Sequence, residues 1–170
     1  MTSYLVSQLV KSARELDFAS FVKRFDHDWI VWEPGPWRPP QKAAGTLVLA
    51  PTPPPSELTP GAPGKPPSGE ALALGLRLGK GQDALALGRS PECALAISDA
   101  TVSARHLVLM QGAGSWTVRD AGSSNGSWLE GSRLEPGIPR RLLEGAHLRV
   151  GSVYLTYHQP GGIYLRLRTS

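Results

Sequence analysis

Three short clusters in this chain of 170 residues combine residue types that can do chemistry. The last of them, "DAGSSNGSW" (Asp120 to Trp128), contains Gly122-Ser123-Ser124-Asn125-Gly126, a fit to G-x-S-x-G. In α/β hydrolases that pattern marks a nucleophilic serine on a strand-to-helix elbow, followed by an acid and then a histidine. His147 and His158 lie downstream, and Glu130, Glu135 and Glu144 supply carboxylates. The other two clusters are Gly88-Arg89-Ser90 and "TVSARH" (Thr101 to His106). A guanidinium accompanied by short hydroxyls is anion-binding chemistry, because its planar fork grips two oxygens at once. "GLRLGK" (Gly75 to Lys80) hints at a nucleotide phosphate loop. It has one spacer too few, and Gly81 stands where a hydroxyl would hold magnesium, so it reads as a hairpin turn joining two strands.

Which chemistry applies depends on the elements that hold these clusters. From Glu70 onward, short strand-like runs recur between turn residues: "ALALGLRL", "DALALGR", "ALAIS", "HLVLM", "SWTVRD", "SWLEG", "HLRVG", "VYLTYH" and "IYLRLR". Their spacing is that of an all-β sandwich, and no helix-length periodic segment is apparent among them. Ser124 is followed by "SWLEGSRLEPG", with two glycines and a proline, which is no helix. The nucleophile elbow therefore lacks its frame.

Upstream the texture differs. Leu5, Leu9, Ala13 and Leu16, then Phe18, Phe21, Val22 and Phe25, recur at helical spacing, so residues 1–33 read as a helical segment. Its apolar stripe must dock on the neighbouring domain or on a partner; docking within the chain is the expectation. Residues 34–69 read as a linker, since twelve of the 16 prolines fall there and such composition builds extended backbone without a core. Within it "GTLVLA" (Gly45 to Ala50) has the character of an edge strand. Residues 70–170 make the sandwich.

Composition narrows the function further. The net charge is +4, but the basic residues are scattered, which suits a local anion site better than a nucleic-acid arm. The single cysteine, Cys93, excludes an internal disulfide and is expected to pack inside the sandwich. No Cys/His cluster has zinc spacing, so no metal or other cofactor is expected. No apolar run approaches the roughly 20 residues that span a bilayer. The N-terminus lacks secretory features, so a soluble, cytoplasmic protein is the expectation.

Taken in order, G-R, then S-x-x-H, then N-G, with strands between them, the clusters resemble the forkhead-associated (FHA) domain, a phosphothreonine-recognition module on a β-sandwich. The resemblance runs from about Glu70 to Tyr157 and includes "LAISDATVSARH", "WTVRDAGSSNGSWLEGSRL" and "LLEGAHLRVGSVYL". A phosphothreonine carries about −1.5 to −2 charges and three strong acceptor oxygens, which calls for a guanidinium, hydroxyl donors and outward-pointing N–H groups.

The resemblance implies roles residue by residue. Arg89 matches the phosphate-binding arginine and Ser103 the phosphate-binding serine. Asn125 matches the asparagine that bonds the peptide main chain, and Ser124 a position that also touches the peptide. Ser90 and Arg105 are secondary candidates. Gly88, His106 and Gly126 are structural supports, the last a turn glycine. One departure stands out: many family members carry Arg or Asn after the serine, where this chain has Ala104. Weaker affinity or a shifted partner preference would follow, since strand alternation aims Arg105 elsewhere. The implied function is a non-catalytic adaptor for phosphothreonine proteins, such as a Ser/Thr kinase or its substrates, without nucleic acid or membrane. The rival is a degenerate scaffold that binds its partners independently of phosphate. Thr46, Thr52 and Thr59 of the linker are candidate phosphorylation sites that could fold back onto the site.

Overall fold

The structure, a computed structural model, describes residues 2–34 and 69–170. In chain order the elements begin with β1 (Ser3–Leu5), α1 (Val6–Glu15), α2 (Phe18–Arg24), β2 (Asp28–Glu33) and β3 (Leu72–Leu76). There follow β4 (Ala84–Gly88), β5 (Leu95–Ala96), β6 (Leu107–Gly112), β7 (Ser115–Asp120), β8 (Ser127–Leu129) and β9 (Ser132–Arg133). The chain closes with β10 (Arg140–Arg141), β11 (His147–Val150), β12 (Val153–His158) and α3 (Pro160–Arg168). The strands form a seven-stranded sheet, β1-β3-β2-β12-β11-β8-β9, and a five-stranded sheet, β10-β7-β6-β4-β5. All pairings are antiparallel except β4 with β5. The β-sandwich read from the sequence is the observed architecture.

Between the sheets lies one apolar core. Leu85, Leu87, Leu107, Leu109, Trp116 and Val118 of the five-stranded sheet meet Ile30, Trp32, Leu148, Val150, Leu155 and Tyr157 of the other. A second core lies outside the seven-stranded sheet. There Leu9, Ala13, Phe21 and Phe25, with Ile163 and Leu167 of α3, cover Trp29, Val31 and Ala73. The molecule therefore has three layers, with helices on one side only.

That outer layer corrects the expectation for residues 1–33. Only Val6–Glu15 and Phe18–Arg24 are helical; Ser3–Leu5 and Asp28–Glu33 are strands of the sheet. β2 lies between β12 and β3, and its residues 29–33 are all buried because Ile30 and Trp32 face the main core while Trp29 and Val31 face the helices. Two-sided burial removes the alternation by which a strand is recognised, and its β-branched and aromatic residues favour extended backbone. Docking of the helical stripe within the chain is what the structure shows.

Two further expectations are overturned. "IYLRLR" is not a strand: Pro160 opens a helix, and Ile163 and Leu167, four residues apart, place their side chains together in the outer core. α3 is held to the sheet by Arg166, which pairs with the buried carboxylate of Glu33 (Nη2 to Oε2 2.8 Å). Nor is "GLRLGK" a hairpin, because β3 and β4 belong to different sheets and the segment crosses between them. The linker, the "GTLVLA" strand and Thr46, Thr52 and Thr59 lie outside the described residues. Among the described residues no helix is long and apolar enough to cross a membrane.

Candidate functional site

The register Leu87↔Leu107↔Asp120 brings the end of β4, the start of β6 and the end of β7 level at one end of the sandwich. β8 starts beside them, since Gly126 O, just before it, lies 3.0 Å from Nε2 of His106, just before β6. The three motif loops thus leave the sheets at a common edge.

The loops bond to one another through backbone. Arg89 N–H donates to Ser103 O (2.9 Å) and Ser90 N–H to Ala104 O (3.1 Å). Gly88 makes this approach feasible: a Cβ there would stand 2.3 Å from Ala104 O. Its supporting role is close packing at a strand end. Gly126 has φ +80°, the left-handed conformation expected of a turn glycine.

His106 is fully buried and ties two loops together. Its Nδ1 accepts from Ser103 N–H (2.9 Å), so the ring proton sits on Nε2, which donates to Gly126 O (3.0 Å). Burial holds the imidazole below its ordinary pKa against the opposing effect of the Gly126 carbonyl. It is neutral, and both nitrogens are occupied.

Side chains complete the edge. Ser103 Oγ accepts from Ser124 N–H (3.1 Å), while its own hydrogen has no acceptor among the described residues. Asn125 Nδ2 donates to Thr101 O (2.8 Å), and Arg89 Nη1 reaches Ala100 O (3.4 Å). The amide and the guanidinium therefore sit on consecutive carbonyls of one loop. Arg89 and Ser124 are exposed, and Ser103 and Asn125 are half-buried. A guanidinium, a free hydroxyl hydrogen and a carboxamide on one solvent-facing edge can bind an oxyanion and an adjoining polar chain.

The structure does not bring every candidate in. Ala104 offers only a methyl, its carbonyl accepting from Ser90 N–H and from Cys93 Sγ (3.2 Å). Cys93 is accordingly half-buried in a loop and not in the core, which corrects the sequence expectation. Arg105 lines a basin with Val108 and Arg119 on the outer side of the five-stranded sheet. Ser124 lies in a loop between two strands, and the elbow geometry is not formed.

Three residues that build this edge were not singled out by motif. Asp120 accepts from Gly122 N–H and Ser123 N–H (both 2.8 Å) and from the hydroxyls of Ser123 and Ser127. Burial pushes its carboxyl up, but those bonds outweigh it and hold the pKa below the ordinary carboxylate value. Thr101 hydroxyl donates to Asp99 and accepts from Ser152 N–H (2.9 Å). Gly151, with φ +59°, lets that turn meet Thr101, where a Cβ would be 2.5 Å from Thr101 O. Asp followed by small residues signals the local turns at Asp99 and Asp120; nothing local signals Gly151.

These groups set a pH dependence. His106, and likewise His27 and His158, has its pKa lowered from 6.5, with burial the largest cause. The unfolded chain then takes up protons first on acidification. Thermal stability should be flat from about pH 6.5 to about pH 8 and fall progressively below pH 6.5, with a further loss below about pH 3.8 as Asp120 is protonated. It should fall again in alkali, where burial opposes ionisation of Cys93, Tyr154 and Tyr157. Melting curves across that range check this; a melting temperature that rises on acidification would contradict it.

Comparison with known proteins places the same region. Residues 85–151 match the family model of the FHA domain. An FHA domain-containing protein of Arabidopsis thaliana is 37% identical over 57 residues, 34% of this chain and 15% of that protein. FhaB of Mycolicibacterium smegmatis, also FHA domain-containing, is 28% identical over 86 residues, 51% of this chain and 54% of its own. The chain spans about half or less of these relatives' lengths. Among solved structures, the N-terminal FHA domain of S. cerevisiae Rad53p in complex with a phosphothreonine peptide is 21% identical with a TM-score of 0.47, covering 55% of this chain and 89% of that one. The FHA domain of an Arabidopsis thaliana protein is 29% identical with a TM-score of 0.46, covering 51% and 73%.

Proposed function

We propose, from the match of residues 85–151 to the FHA-domain model and the loop edge described above, that the chain is a non-catalytic adaptor that binds phosphothreonine peptides in serine/threonine-kinase signalling. Its setting is the cytoplasm, and its partners are phosphorylated proteins, among them a kinase or its substrates. The observation that carries the reading is the pairing at one edge. Arg89 is bonded by its backbone to the loop of Ser103, and both Arg89 and Asn125 reach carbonyls of that loop.

In this reading the Arg89 guanidinium and the Ser103 hydroxyl take the phosphate oxygens. Asn125, whose Oδ1 has no partner among the described residues, takes a main-chain N–H of the peptide, and Ser124 lies beside it. His106, Gly88 and Gly126 act at a distance by fixing the loops. Ala104 supplies no third donor, so the interaction rests more heavily on Arg89 and Ser103 than in a site with a further side-chain donor at that position.

The test is a titration of the full chain with matched phosphorylated and unphosphorylated threonine-peptide libraries. Preferential binding of the phosphorylated set, weakened by Asn125→Ala, is the expected outcome. Equal binding of both sets would replace the phosphate-dependent adaptor with a phosphate-independent scaffold.

A further inference from the structure

An antiparallel sheet with one solvated face ordinarily carries polar residues on it. On the outer face of the five-stranded sheet, β4 and β6 depart from that rule. Leu85↔Leu109↔Val118 and Leu87↔Leu107↔Asp120 point inward, so the alternate rows Ala86↔Val108↔Arg119 and Ala84↔Met110↔Thr117↔Arg141 point outward. All three helices pack on the other sheet. The outward rows are small and apolar at one side and end in guanidiniums at the other.

An open basin of about 530 Å³ lies where this face meets the β7–β8 loop, lined by Val108, Arg105, Arg119, Pro136 and Gly137. Asp120 is the one acidic residue bordering it, but its side chain is buried and its oxygens are already engaged by the serine and backbone donors of the β7–β8 loop. The guanidiniums of Arg105, Arg119 and Arg141 make no ion pair or hydrogen bond with any described residue.

We propose that this face is a second docking surface, which takes an extended, acidic, unphosphorylated segment of a partner protein. The small side chains of Ala84 and Ala86 give a low floor on which an extended backbone can lie close. The guanidiniums bordering it supply positive potential that favours carboxylates and steers their approach. The chain's own residues 35–68 are poor occupants, because they carry Arg38, Lys42 and Lys65 against the single acid Glu57 and are like-charged with the face. A nucleic-acid strand would leave the apolar floor unmatched.

The test uses the full chain and a fluorescent, unphosphorylated peptide of alternating glutamate and small aliphatic residues, with a glutamine-for-glutamate peptide as control. Fluorescence anisotropy should show binding that weakens with salt and is lost with the control peptide. Arg119→Glu with Arg141→Glu should reduce affinity by about tenfold or more, whereas Arg89→Ala should leave it unchanged. If the double reversal unfolds, as judged by its melt, Arg119→Gln with Arg141→Gln should give a smaller loss in the same direction. Equal binding of the control peptide, or no effect of the variants, overturns the proposal. So does tighter binding of duplex DNA that the same variants abolish, and so does a dimer in sedimentation that they dissociate.

Discussion

Arg89→Ala is expected to reduce phosphothreonine-peptide affinity by at least about 100-fold while moving the thermal melt by only a few degrees. The binding loss follows from charge. A bidentate guanidinium makes two charge-assisted hydrogen bonds to a phosphate, each worth about 1.5–3 kcal/mol net, and about 2.8 kcal/mol is already 100-fold. The Ser103 hydroxyl remains but is neutral, and Ala104 offers no charged donor to take over. The small effect on folding follows from exposure: the side chain is solvated, and its only bond to a described residue is a long one, 3.4 Å to Ala100 O. Arg89→Lys should recover part of the affinity, because an ammonium keeps the charge but loses the planar fork. Calorimetric titration with one phosphopeptide, alongside melting curves, measures both quantities. Unchanged affinity would remove Arg89 from the site, and loss of the folded state would make it a structural residue.

The second large effect is expected at Gly88. An alanine Cβ there would meet Ala104 O at 2.3 Å, Ala104 C at 2.8 Å and Arg105 Cα at 2.9 Å. All three are backbone atoms, so no side chain can swing aside, and the loop itself must retreat from β4. Overpacking of this kind costs about 1–3 kcal/mol. The retreat also breaks the Arg89 N–H to Ser103 O and Ser90 N–H to Ala104 O bonds, which separates the guanidinium from the serine hydroxyl. Gly88→Ala should therefore lower both the melting temperature and the phosphopeptide affinity. Gly112→Ala is the matched control, since a Cβ there has nothing within 4 Å and should change neither. A Gly88→Ala protein with normal affinity would show that the β4 contact does not set the loop.

The two substitutions separate two roles that one dipeptide carries. Arg89 would supply the counter-charge, whereas Gly88 fixes where that charge stands relative to Ser103. His106 and Asp120 belong with Gly88: each uses its polar atoms on the protein itself, His106 on Ser103 and Gly126, Asp120 on its own loop. Their protonation therefore couples loop geometry to pH, as the acid side of the stability profile should register.

Much of this protein follows from local pattern. Half-buried strands such as Ser115–Asp120 alternate inward and outward residues, so the sandwich could be read directly. The order of Arg89, Ser103 and Asn125 among those strands pointed to one loop edge, and turn chemistry placed Gly126 with positive φ. Other features depend on neighbours distant in sequence. β2 is hidden because helices bury its second face and erase its alternation, and α3 because alternate apolar residues also meet at a four-residue spacing. Gly88 and Gly151 are required by backbone that approaches from remote loops, and Arg105 turns away from Arg89 onto the outer sheet face. Sequence alone thus determined which strands form and which residues have the chemistry. Tertiary structure decided which faces are covered and which loops touch, because those contacts join segments that no local periodicity relates.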